Sequence, residues 1–512
     1  MNTYVFAALF FISARQIQTW PLEVVPVQGF FEEQTVNMKA FFEEQRNKVE
    51  KAFNASYEDA IRMKNSVTNY VDDKQRKISS DINNYVESVK ETGRRVSDSW
   101  SYLPTEEPGA VLENPDIILS VPAIILRQGY TCETHTVLSQ GYLINVHRIP
   151  HPKTGGKISK KTILLHHGLF GSSADWILNG PGKALGYVLA DAGYDVWMSN
   201  IRGNRYSKEH VSLKSDSKSF WNFSWHDVAL HDVPAVIDHI LKAKGDAAIT
   251  YIGHSMGTSI LFAMLTLRPE YNDILKAGIA LGPVAFLSDI KSPIKSLMPI
   301  ASNVAYMEML YGSHEFIPKE SVLGRMTRSC DADSMDSLVC KNVIFYICGY
   351  NEKQFNKTLL PVFLSNLGTG TSWKTAVHFS QEIMADGSFQ QFDYGSKDNQ
   401  KIYGTEKPPK YDLSKITLPI TLFWAENDLL SSEKDVKRIF ENLPPDSRHI
   451  YKVPDQDFNH LDYLWAIDAP KLINEEIMNT LNKVYSAASS SPTSHKGMRH
   501  SIKYRFIFIA QF

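Results

Sequence analysis

The chain has 512 residues, 43% of them hydrophobic, and a formal net charge of −2. That is ample apolar material for one large core, or for a core plus a second module. The near balance of charge, with no basic stripe interleaved with aromatics, argues against nucleic acid as a partner.

The first residues read "MNTYVFAALFFISARQ". Tyr4 to Ala14 is apolar, ends in small residues and is too short for a comfortable membrane span. Residues 1–14 therefore read as a secretory signal peptide cleaved after Ala14. The absence of Lys and Arg before the apolar run leaves a buried N-terminal segment as the alternative. No other stretch is long and apolar enough to span a bilayer. The Asn-x-Ser/Thr sites at Asn54, Asn222 and Asn356 fit a secretory route. A secreted location is expected, with the lysosome as the alternative.

Residues 15–100 are expected to form a helical extension. Neither Gly nor Pro occurs from Phe30 to Thr92, and apolar residues recur in steps of seven, four and three: Phe42, Val49, Phe53, Ala60, Val67, Val71, Ile78, Ile82, Tyr85, Val89. This is the pattern of an amphipathic helix or a helical hairpin. A solvated helix packing one stripe on a neighbour is the plain reading. Self-association through residues 30–96 or a lipid-surface helix are the rivals.

After the proline-rich linker "SYLPTEEPGAVLENPD", short β-rich runs alternate with helical stretches. The runs are "KTILLHHG", "GYDVWMSNIRG", "AAITYIGHS", "KAGIALGP", "LPITLFWAEND" and "RHIYKVPDQDFNH". This alternation predicts an α/β fold, a mostly parallel sheet with helices on both faces. Residues 101–286 and 396–485 form the core. Between them the rhythm breaks, and residues 287–395 are expected to form a helical cap with a lid over the carboxyl edge of the sheet. Residues 486–512 begin as a Ser/Ala-rich linker and are expected to be disordered.

Chemistry concentrates in a few places. In "YIGHSMGTSI", Ser255 lies between a strand run and a helix start, flanked by Gly253 and Gly257. A serine on a strand-to-helix turn sits in strained backbone, and the glycines remove Cβ atoms that would clash there. Serine needs a base to take its proton and an acid to orient that base. Asp428 follows one late strand and His460 follows the last. Asp435, Glu426, Asp457 and Asp462 compete for the acid, and His449 for the base. The oxyanion donors are expected to be the backbone amides of Met256, after the serine, and of Leu169 in "LLHHGLFGSS". Adjacent His166 and His167 have side chains that diverge and no further ligand beside them, so a turn-stabilising role is expected for them and no metal. No organic cofactor is expected either. Cys330 and Cys340 lie ten apart and would close one short loop in an oxidising compartment. Cys340 with Cys348 is the alternative pairing, and Cys348 and Cys132 otherwise read as free thiols.

With these segments in order from about Asn114 to Lys483, the sequence resembles the acid lipase family of α/β-hydrolases. "LLHHGLFGSSADW", "MSNIRGNRYSKEH", "GHSMGTS", "VCKNVIFYICGYNEKQFN" and "FNHLDYLWAIDAP" carry the resemblance. It implies the α/β-hydrolase fold and a serine esterase acting on neutral lipid esters at a lipid–water interface; a catalytically inactive lipid-binding protein on the same scaffold is the alternative. It implies Ser255 as nucleophile, Asp428 as orienting acid, His460 as base, and Leu169 and Met256 as oxyanion donors. It also maps a cap disulfide onto Cys330 and Cys340. Met256 and His166 both stand where gastric and lysosomal members have Gln. The helical extension has no counterpart in ordinary members, so nothing is carried over to it.

Overall fold

The computed structural model describes residues 114–245, 248–296, 313–316 and 344–490, together with Val304 and Glu308. The chain divides into two units, Gln16–Val111 and the remainder. The signal peptide, the helical extension, Asn54, Cys330, Cys340 and the tail beyond residue 490 lie outside the described residues.

Eight strands form one sheet in the order β1-β2-β4-β3-β5-β6-β9-β10. They are β1 (Glu133–Ser139), β2 (Tyr142–Ile149), β3 (Lys161–His166), β4 (Asp195–Ser199), β5 (Ala248–His254), β6 (Leu275–Leu281), β9 (Ile420–Trp424) and β10 (Arg448–Lys452). A separate two-stranded pair joins β7 (Glu315–Phe316) to β8 (Thr371–Ser372). All six runs read from the sequence are strands, and those from β4 to β10 pair in parallel. β1 and β2 form an antiparallel hairpin that the strand pattern did not flag. Its signal is the Gln140-Gly141 turn, where both φ angles are positive, at 48° and 88°. Two such residues form the turn that matches strand twist in a two-residue hairpin.

Alternation along each strand sends side chains to two cores. Ile163, Leu165, Val196, Met198, Ile252 and Phe423 face one cluster. Leu164, Trp197, Tyr251, Leu422 and Trp424 face the other. Burial on both faces explains why these strands read as continuous apolar runs. Helix Leu185–Asp191 and the last helix cover the first face, and helices Val233–Lys244, Met256–Leu267 and Glu433–Asn442 the second. Part of the segment expected as a cap packs into the first core, where Phe363 of helix Leu360–Asn366 stacks on Trp465 with centroids 4.4 Å apart. The last helix runs Glu475–Ser490, five residues into the stretch expected as linker. Ala and Ser there extend a helix already nucleated, and Ala is the best helix former.

Candidate active site

The centre of the site is the junction of β5 and helix Met256–Leu267. Ser255 sits between them with φ 54° and ψ −121°, backbone that L residues rarely adopt. Two contacts hold it there. Its amide donates to Leu281 O of β6 at 3.0 Å, and its carbonyl accepts from the Thr258 hydroxyl at 2.6 Å. The flanking glycines are required by space. A Cβ on Gly257 would lie 2.4 Å from His166 O, and one on Gly253 would lie 2.8 Å from Gly257 O.

The late loops bring an acid and a base to the same edge. His460 Nδ1 lies 2.8 Å from Asp428 Oδ2 and 3.0 Å from Oδ1. Both side chains are buried, Asp428 completely. Asp428 Oδ1 also accepts the amides of Leu430 and Ser431, at 2.9 and 2.8 Å. A carboxylate only accepts, so the Nδ1 proton points at Asp428 and Nε2 carries the free lone pair. Nε2 is buried and has no hydrogen-bond partner among the described residues. Gly282, next to the carbonyl that anchors Ser255, passes close to the pair: a Cβ there would lie 3.1 Å from Asp428 Oδ2 and 3.2 Å from His460 Nδ1. His254, directly before Ser255, bonds His460 O through Nε2 at 2.8 Å. Burial, reinforced by the neighbouring His460, holds the His254 imidazole well below its usual range, so it is neutral.

The competing residues have other partners or positions. Glu426 pairs with Lys452 on the surface, and Asp457 lies exposed near Lys353. Asp435 is buried but accepts from Ser288 Oγ and the Asp289 amide. His449 is exposed on β10. Asp462 is buried two residues beyond His460 and binds Asn351 and the Asn459 amide.

The loop after β3 supplies a backbone donor. The Leu169 amide donates to no acceptor among the described residues, and Met256 opens its helix, where the first amides lack partners one turn back. A Cβ on Gly168 would lie 3.0 Å from Ser255 Cβ, so this loop runs against the serine. His167 and the Gly171 amide, which donates to Gly168 O at 3.2 Å, fix its orientation together. His167 Nδ1 lies 2.8 Å from Gly168 O, the carbonyl of the peptide unit whose N–H belongs to Leu169. In a trans peptide the C=O and N–H point opposite ways, so pinning one aims the other. Burial brings the His167 pKa down to about 3, leaving a neutral ring. Nδ1 then carries the proton, and Nε2 accepts from Asn204 Nδ2 at 3.3 Å. His166 is likewise buried, brought down to about 4, with Nε2 unpartnered. Among the described residues, no group of three or more His, Cys, Asp or Glu side chains is placed to hold a metal.

Of the remaining site residues, Asn222 is exposed. Asn356 is half-buried and accepts from the Thr358 amide and hydroxyl. Cys348 is a buried free thiol and Cys132 a partly exposed one. Among the described residues no helix is long and apolar enough to cross a membrane.

The model of the alpha/beta hydrolase fold family matches residues 161–466, and that of a partial alpha/beta-hydrolase lipase region matches residues 121–180. Lipase 3 of Drosophila melanogaster is 38% identical over 377 residues, covering 73% of this chain and 95% of its own. Lipase 1 of the same organism is 36% identical over 394 residues, covering 77% and 85%. Gastric triacylglycerol lipase of Bos taurus is 36% identical over 380 residues, covering 73% and 94%. A shared fold, and likeness of this depth along nearly the full length of those relatives, place the chain in the acid lipase family of α/β-hydrolases.

Proposed function

We propose that the chain is a serine lipase that hydrolyses carboxylic esters of neutral lipids, triacylglycerols or steryl esters, with Ser255, His460 and Asp428 as its triad. The observation that carries this reading is the His460 ring: one nitrogen is fixed by buried Asp428 and the other is buried and unpartnered, beside the strained turn of Ser255. His460 Nε2 takes the Ser255 proton as Oγ attacks the ester carbonyl. The oxyanion rests on the Leu169 and Met256 amides. His460 then protonates the leaving alcohol, and water repeats the sequence on the acyl-enzyme. Asp428 keeps the imidazole in the productive tautomer. The Ser255–His460 hydrogen bond is absent in this arrangement; such bonds often tighten only when substrate is bound.

The same reading sends the chain along the secretory route, to the exterior or the lysosome. There Asn54, Asn222 and Asn356 would carry glycans and Cys330 would pair with Cys340. Residues 30–96 would pack one apolar stripe on a neighbour, with self-association as the rival.

Ser255→Ala tests the assignment. Hydrolysis of a soluble short-chain ester and of emulsified triacylglycerol should fall by about 10⁴-fold or more, with the thermal melt preserved. A fluorophosphonate probe should label the parent and leave the variant unlabelled. Retained turnover in Ser255→Ala would remove the serine mechanism. Comparing triolein with cholesteryl oleate then separates the two substrate classes.

A further inference from the structure

A four-residue strap crosses the site behind His460. Residues 344–348 are helical and end at Cys348, and the chain then continues without regular structure through Gly349, Tyr350 and Asn351. Each of these four residues is fastened to the loops that carry Asp428 and His460. Cys348 O accepts both the His460 amide, at 3.2 Å, and the Leu429 amide, at 3.4 Å. Gly349 O accepts from Asn459 Nδ2 at 3.0 Å. Tyr350 O accepts from Asn427 Nδ2 at 2.9 Å, and that amide also reaches Asp457 O. Asn351 Nδ2 donates to Asp462 Oδ2 at 2.8 Å, and the same oxygen accepts the Asn459 amide at 2.8 Å.

The fit is close. Gly349 has φ 113°, and a Cβ there would lie 2.1 Å from Asn427 O and 3.0 Å from Asn459 Cβ. Asn351, Asn459 and Asp462 are each buried to 4% exposure or less. Asn351 Oδ1 has no hydrogen-bond partner among the described residues. A buried unsatisfied oxygen costs stability, and an apolar side chain would avoid that cost. Asn351 does more than fill space, since its Nδ2 is the group that reaches Asp462.

The backbone amides on either side of the Asp428–His460 pair, those of Leu429 and His460, thus converge on one carbonyl, Cys348 O. The position of that carbonyl is set by the strap. We infer that Asn351 and Asp462 are positioning residues that seat this strap, so that the segment leaving the cap region fixes the geometry of His460 against Asp428. The inference rests on the catalytic role proposed for His460. It gives Asp462 a place as neither triad acid nor mere filler: its carboxyl ties the residue before His460 to the strap.

The test compares Asn351→Ala, Asp462→Ala and Asp462→Asn with the parent on a soluble short-chain ester, beside Ser255→Ala. Asp462→Asn keeps an acceptor for both donors. Both alanine variants should lose kcat on the order of 10- to 100-fold with KM little changed, because a displaced base costs rate and not binding. Their fluorophosphonate labelling should slow by the same factor, and Asp462→Asn should restore most of both. Cooperative melts confirm folding; if an alanine variant does not fold, Asn351→Ser is read in its place. Folded variants with parental kcat and labelling would overturn the strap inference alone, provided Ser255→Ala is inactive. Activity in Ser255→Ala would overturn the proposed mechanism instead.

Discussion

Three residues of the site each depend on a different constraint. Ser255 is held in strained backbone by two hydrogen bonds, His460 by a buried carboxylate, and Leu169 through the carbonyl of its own peptide, which the His167 ring and the Gly171 amide both reach. The last gives a prediction at this scale. His167 Nδ1 pins Gly168 O and so aims the Leu169 amide. Removing an oxyanion donor outright costs about 10²- to 10³-fold in kcat. His167→Ala leaves the proposed Leu169 donor in place and removes one of the two bonds on Gly168 O, the Gly171 amide keeping the other, so a smaller loss in kcat, about tenfold, is expected with KM retained. Steady-state kinetics on a soluble ester check it; an unchanged kcat would show that the loop holds itself. Ser255, Asp428 and His460 were legible from the sequence because each follows a strand run in a recognisable order. The task of His167 was not, since "HHG" says nothing about which ring nitrogen meets which carbonyl.

At the scale of elements, the site is a strand–turn–helix corner packed against the loop after β3. Helix Met256–Leu267 is buried over its first ten residues, so it cannot tilt away to relieve a clash. Gly257 is where the two pieces touch: an added Cβ would meet His166 O at 2.4 Å and His167 O at 2.9 Å, both backbone atoms. Gly257→Ala is therefore expected to destabilise the fold by about 1–3 kcal/mol and to lower kcat by pushing the Leu169 loop away from Ser255. Urea denaturation and ester hydrolysis measured on the same sample check both effects. The glycines around Ser255 were visible in the sequence, but only the structure shows what each one faces. The strap at Cys348–Asn351 was not visible at all, because "ICGYN" has no periodicity and its partners lie about a hundred residues further on.

For the molecule as a whole, buried titratable groups set opposing dependences on pH. Burial pushes the Asp175 and Asp462 carboxyls up to about 7, and Glu382 well above its usual range. Such a group folds neutral but ionises when the chain unfolds above about pH 4. The folded state then binds the extra proton, so stability falls as pH rises from about 4 to 7. Buried histidines act the other way. Burial brings His147 down to about 4 and His378 down to about 3. Their contribution is complete above about pH 6.5 and is lost as pH falls toward those values. Asp175→Asn should therefore gain on the parent between pH 4 and pH 7, by about 2–4 °C in Tm, when melts are compared across that range. A constant difference across the series would mean that Asp175 is not carried neutral into the fold.

The sequence by itself determined the elements and their order. Continuous apolar runs closed by turn residues gave the parallel strands, and the glycines around Ser255 gave the turn, because both follow from local backbone preference and from burial on two faces. Gln140-Gly141 was equally local and gave the hairpin signal that was passed over. Tertiary structure alone decided what else binds the Asp428 carboxyl, what orients the Leu169 amide, how the strap is seated and which acids are carried uncharged into the interior. Each of those depends on pairs far apart in the chain, such as His254 with His460 or Asn351 with Asp462. Burial and hydrogen-bond partners exist only once the strands have brought such residues to the same edge of the sheet.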